Sequence, residues 1–144
     1  MRLFITLSKR ALCVILASLI IALIIIGQLF TIKAGGTDGS TNALRLEYIS
    51  GLGYTVNETA VNVKEIVIPE SFSDVYNEYN RLQQKAGFDL SRHKGDTACV
   101  YTYSLSDSED TVINLIVSDN NIIGGDVSSV RIDGEMKALL PKGK

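Results

Sequence analysis

The sequence predicts an α+β domain: an antiparallel sheet of about four strands with two helices packed on one face, preceded by one N-terminal transmembrane helix. Three observations carry this. An uncharged apolar run lies near one end of the chain, two segments repeat apolar residues with helical spacing, and three strand-like runs follow with short connections. The 144 residues allow one ordinary domain with an appendage, and exclude folds that need about 250 residues, such as a full TIM barrel.

The run from Ala11 to Ile32 holds 22 residues without a charge. As a helix at about 1.5 Å per residue it spans roughly 33 Å, close to the ~30 Å of a bilayer's hydrocarbon core. A core helix of this length would carry a polar stripe, and this run has none. It also accounts for the positive mean hydropathy of +0.19. Arg2, Lys9 and Arg10 precede it and only Lys33 follows closely, so residues 1–10 are expected in the cytoplasm and everything beyond the run outside. The run exceeds the ~7–15 apolar residues of a cleaved signal peptide, and Ile32 would sit badly at −3 of a cut after Ala34. An uncleaved anchor at residues 11–32 is the expectation.

From Lys33 onward the chain carries sixteen carboxylates against eleven Lys and Arg, a formal charge of −5. With an overall net charge of −2, this argues against nucleic acid as a partner, which calls for a basic face. Cys13 lies in the apolar run and Cys99 is the other cysteine, so no internal disulfide framework and no Cys-based zinc site is expected.

Residues 33–42 are small, polar and glycine-rich and read as a flexible tether, leaving 43–144 as the extracytoplasmic domain. Ala43 to Leu52 reads as a helix, with Leu44, Tyr48 and Leu52 four apart, a cap among Ser40, Thr41 and Asn42, and a stop at Gly53 followed by Tyr54. Val61 to Ile68 alternates Val61, Val63 and Val67 against Asn62 and Lys64, a strand closed by Pro69. A second helix is expected from a capping box at Ser71 and Asp74, with Phe72, Val75, Tyr76, Tyr79, Leu82 and Ala86 forming its buried face. Gly87 and Phe88 repeat the glycine-stop ending. Thr97–Leu105, Thr111–Val117 and Ile122–Val127 complete the sheet, the last two joined tightly through Ser118-Asp119-Asn120-Asn121.

Several of these segments resemble a known family. Val75-Tyr76-Asn77-Glu78-Tyr79-Asn80-Arg81-Leu82-Gln83 with Gly87-Phe88-Asp89-Leu90 is similar to its "YNxLQ…GFDL" stretch. Tyr101-Thr102-Tyr103, Asn114 to Val117, Ile122 to Ser129 and Asp133-Gly134-Glu135-Met136 extend the likeness, as does the opening RLEYISGLGYTV. Together they resemble domain of unknown function 4830 over most of Ala43 to Met136, with Glu135 standing where that family favours an aromatic. The resemblance implies an exported or membrane-anchored protein of a Gram-positive, clostridium-like bacterium, and it implies no activity, cofactor or catalytic residue.

Candidate sites are few. Two glycines inside a strand mark a bulge or a close backbone approach, so Gly124 and Gly125 with Asp126, Ser128 and Ser129 are the candidate ligand-binding residues, set against a plain packing role for the glycines. Ser91-Arg92-His93-Lys94 and Ser118-Asp119-Asn120 echo motifs of penicillin-recognising serine enzymes, but they sit in a linker and a turn instead of a buried helix, and the chain is too short for that scaffold. The acidic SDSED loop lacks the spacing of a calcium loop, and the single histidine, His93, cannot build a metal site. No catalytic or metal residues and no cofactor are expected. Tyr101 and Tyr103 share a strand face and could pair or form a stacking platform. The expected function is a single-pass, membrane-anchored binding module at the cell envelope. Its partner would be an envelope protein, a peptide or a cell-wall component. The alternative is a regulatory or structural accessory subunit of a membrane complex, and an enzyme is not expected.

Overall fold

The computed structural model describes residues 36–143. The apolar run Ala11–Ile32 lies outside the described residues, and among those described no helix is long and apolar enough to cross a membrane. The elements are β1 (Thr37–Asp38), α1 (Asn42–Gly51), β2 (Asn62–Val67), α2 (Asp74–Lys85), a 3₁₀ turn (Leu90–His93), β3 (Thr97–Leu105), β4 (Ser108–Ser118), β5 (Asn121–Ser129) and β6 (Met136–Ala138). The α+β class therefore stands, with an antiparallel sheet of order β1-β5-β4-β3-β2 and β6 paired on β5.

The sheet is wider than expected, six strands instead of four. Both additions are too short to show an alternating pattern, and both line the same edge of β5. There β1 pairs at Asn121–Ile122 and β6 at Asp126–Ser128. The glycine-rich stretch taken for a tether is thus part of the sheet from Thr37 onward. Gly39 fixes it: its amide donates to the Asn120 carbonyl, and a Cβ there would lie 2.7 Å from Ile122. The central hairpin agrees with expectation, since Asp119 and Asn120 both take positive φ (45° and 65°), the requirement of a two-residue primed turn.

Both helices end as the sequence implies. Gly53 and Gly87 take positive φ. The amides of Tyr54 and Phe88 reach back to the carbonyls of Ile49 and Gln83, the paired bonds of a Schellman ending. The start of α2 differs. Ser73, not Ser71, is the cap, its hydroxyl accepting from the Tyr76 amide. For α1 the cap is Thr41.

The helices do not share one face of the sheet. Ile49 of α1 packs with Tyr103, Ile113, Leu115, Val117 and Ile122, whose register places them on one side. Tyr76 and Tyr79 of α2, with Leu90 of the 3₁₀ turn, pack on Ala98, Ile116 and Ile123, and Ile116 points opposite to its neighbours Leu115 and Val117. The reason is that β3, β4 and β5 are apolar on both faces over this stretch. A sheet with two apolar faces needs a cover on each. In and beside β2 the alternating valines Val61, Val63 and Val67 are exposed, while Ile66 is half-buried and Ile68 fully buried.

Candidate functional site

The two sides of the sheet use their polar residues differently. Under α1, Arg45 is buried, and among the described residues no carboxylate forms an ion pair with it. Its Nε donates to the Tyr103 hydroxyl (2.9 Å), its Nη1 to the Gly39 carbonyl (2.7 Å), and its guanidinium lies 3.6 Å over the Tyr101 ring. Tyr103 donates onward to Asn42 Oδ1. The tyrosine pair considered as a stacking platform is occupied by the chain's own arginine.

On the other side, Asp126 is 2% exposed. Its carboxylate accepts from the Tyr79 hydroxyl (2.9 Å), Asn114 Nδ2 (2.9 Å) and the Ser128 hydroxyl, and Asn114 Oδ1 accepts from the Thr102 hydroxyl. Burial first, and the Asp126 charge second, drive the Tyr79 pKa far above its ordinary value, so this phenol stays protonated. The three donors are neutral and convergent, which is how a buried carboxylate is held without a cation. Buried and held by three donors, Asp126 serves as an internal staple between α2, β4 and β5.

The glycines explain themselves by what surrounds them. A Cβ on Gly124 would stand 3.0 Å from Gln83 Oε1 and about as near Ile116 and Leu90; one on Gly125 would stand 2.8 Å from the Asn114 carbonyl and from Leu139. The pair lets α2 and the segment after β6 close on the sheet from both faces. Residues 123–125 also fall in the gap between β1 and β6, where that edge of β5 has no strand beside it. Gln83 fills that gap: fully buried, its Oε1 accepts from the Gly125 amide at 2.8 Å. Its Nε2 has no hydrogen-bond partner.

The sequence-predicted set is therefore divided. Gly124, Gly125 and Asp126 are buried in the packing of β5. Ser128 and Ser129 are half-exposed and border a separate shallow recess of about 240 Å³ with Thr111, Glu135 and Lys137. Elsewhere, Ser91 donates to Asp89 Oδ1 and Ser118 to the Thr97 carbonyl, which engages both serines of the enzyme-like motifs in local structure. Cys99 is a half-buried free thiol. Among the described residues no three His, Cys, Asp or Glu side chains gather into a metal site.

Among the described residues, a further concave surface lies where no site was expected from the sequence. It is a groove of about 710 Å³ along α2, lined by Val75, Tyr76, Tyr79, Leu82 and Met136, with Glu78, Arg81 and Lys85 on its rim. A second recess of about 410 Å³ continues it past Met136 toward Tyr54 and Leu140. The groove exists because the apolar stripe of α2 is buried only in part, with Tyr76, Tyr79 and Leu82 half-buried and Val75 left out. Asn80 and Gln83 are the buried residues of the helix, while Val75 is 81% and Met136 46% exposed. Asn80 is drawn in by the backbone: its Oδ1 accepts from the Leu90 amide and its Nδ2 donates to Asp89. Gln83 is drawn in by Gly125. These two demands rotate α2 and leave part of its apolar stripe in water. Periodicity alone carries no signal of this, because the groups that draw Asn80 and Gln83 inward lie on other elements.

Comparison with curated proteins and with solved structures finds no match. A family model described as Domain of unknown function (DUF4830) matches residues 48–127, from within α1 to β5, so the resemblance read from the sequence holds over this stretch and stops short of the Asp133–Met136 segment. On that match, which covers more than half of its length, the chain belongs to the DUF4830 family.

Proposed function

We propose that this chain is an interaction module anchored by residues 11–32 in a cell membrane, with its folded domain outside the cell and the α2 groove as the surface that takes a protein segment. The anchor and its orientation rest on the uncharged run and on the basic residues before it. The observation that carries the binding role is the exposed part of the α2 stripe. Val75 and Met136 face water across a groove floored by Tyr76, Tyr79 and Leu82, although the fold has an apolar core into which such side chains normally go. Aromatic and methionine side chains beside a charged rim make the composition of a protein-binding surface. The rim is largely self-neutralised, with Arg81 paired to Glu78. The groove therefore suits an apolar anchor residue better than a strongly charged polymer. Binding, not catalysis, is the role these residues support.

The test has two arms. Protease added to intact protoplasts is expected to degrade the chain from Ala43 onward, and complete protection would overturn the orientation. Val75→Glu is expected to abolish co-isolation of the bound protein while leaving the unfolding midpoint within about 0.5 kcal/mol of wild type, because the side chain is exposed. Unchanged co-isolation would remove the groove from the proposal.

A further inference from the structure

The same surface carries a knob as well as a groove. Between β5 and β6 the chain makes a tight turn in which the Gly134 amide donates to the Arg131 carbonyl at 2.8 Å. The base of the turn is tied by the Ser129 amide to the Glu135 carbonyl and by the Val130 amide to the Asp110 carbonyl. A Cβ on Gly134 would lie 2.6 Å from the Ser129 carbonyl, so the turn is closely packed at that corner. At its tip Ile132 is 104% exposed, with Val130 at 59% beside the base. An isoleucine held fully in water by a hydrogen-bonded turn is preorganised, and its insertion into an apolar site costs little ordering.

Resting on the reading of the groove as a docking surface, we infer that its occupant is the β5–β6 turn of a second copy of this chain. Ile132 would seat between Val75 and Leu82 of its neighbour, exchanged reciprocally. Two features point to self-association over another partner. Met136 lies four residues after Ile132 and lines the groove, so knob and groove are adjacent. A two-fold axis near Met136 can then satisfy both contacts at once, the closed arrangement typical of homodimers. One charge also matches. Asp133 beside Ile132 has Lys85 on the rim of the groove as its opposite charge, while Arg131 pairs with Asp110 and Glu78 with Arg81 within the chain. Confinement of anchored copies to one membrane raises their effective concentration, so a contact of modest area suffices.

The test uses the full chain in its membrane, with Cys13→Ala and Cys99→Ala as background. Two differently tagged copies are co-expressed, one carrying Ile132→Cys and the other Val75→Cys, and mildly oxidised. A disulfide joining the two tags is expected, at least about tenfold faster than when Ser50→Cys on α1 replaces Val75→Cys, as proximity over random collision requires. Val130→Asp on the first copy should suppress it. Equal rates for the Val75 and Ser50 positions would overturn the inference. So would a disulfide only within a single chain carrying both cysteines, which would make the turn a strap over its own groove. A photocrosslinker at Val75 that captures a different protein and not the second tag would also overturn the self-association, while upholding the groove as a docking surface. Capture of nothing at Val75 would remove both.

Discussion

Gln83, Asp126 and the glycine pair determine how closely α2 approaches the sheet, and each predicts a measurable cost. In Gly125→Ala the new methyl meets the Asn114 carbonyl, part of the central sheet, which cannot yield. A loss of ~1–3 kcal/mol is expected in chemical denaturation. Gly124→Ala meets only side chains, at 3.0 Å or more, and should cost less. Asp126→Asn places an amide where three donors converge, so at least one donor loses its acceptor. About 1–3 kcal/mol should follow, with no change in fold by circular dichroism. Asp89 supplies a pH signature. Hydrogen bonds from the Ser91 hydroxyl first and Asn80 second hold its pKa down to about 2, against an ordinary 3.8. A carboxylate with a depressed folded pKa stabilises above its unfolded value and loses that contribution as pH falls through its folded one. The stability gap between wild type and Asp89→Asn should therefore be full above about pH 4 and close toward pH 2. A gap that persisted at pH 2 would show that Asp89 acts by shape and not by charge.

At the scale of elements, the sequence conveyed what is local. The glycine stops after both helices, the Asp119-Asn120 turn and the span of β3 were all legible, because each depends on the conformational preference of one or two residues. What depended on distant partners was not. Periodicity located α2 and the packing of Phe72, Tyr76 and Tyr79, but it placed Val75 inward and left out Asn80 and Gln83, since the pull on these two comes from Leu90 and Gly125, unreadable before the sheet is assembled. For the same reason the exposed surface along α2 was not legible before the helix was seated. The short strand β1 was hidden because Thr37–Asp38 is held by pairing with β5, and Gly39 just after it by Arg45. Arg45→Lys cannot reproduce the planar fork that meets Gly39, Tyr101 and Tyr103 together. Hydrogen exchange should show the Gly39 amide, normally bonded to Asn120, exchanging at least about tenfold faster in this variant, as a lost local closure of ~1.4 kcal/mol requires. An unchanged rate would mean that β1 pairing alone holds the segment.

For the whole molecule, the proposed arrangement joins an anchor legible only in sequence to a domain whose groove is legible only in structure. They meet in one claim: the groove faces the outside of the cell and is covered there. The most direct measurement compares two single-cysteine chains lacking the native thiols, Val75→Cys in the groove and Ser50→Cys on exposed α1. Both are labelled on intact cells with a membrane-impermeant maleimide. The prediction is that both react without permeabilisation and that position 75 reacts more slowly than position 50, the difference vanishing when the protein is solubilised and diluted. Labelling that requires a permeabilised membrane, or equal rates at the two positions on intact cells, would contradict it.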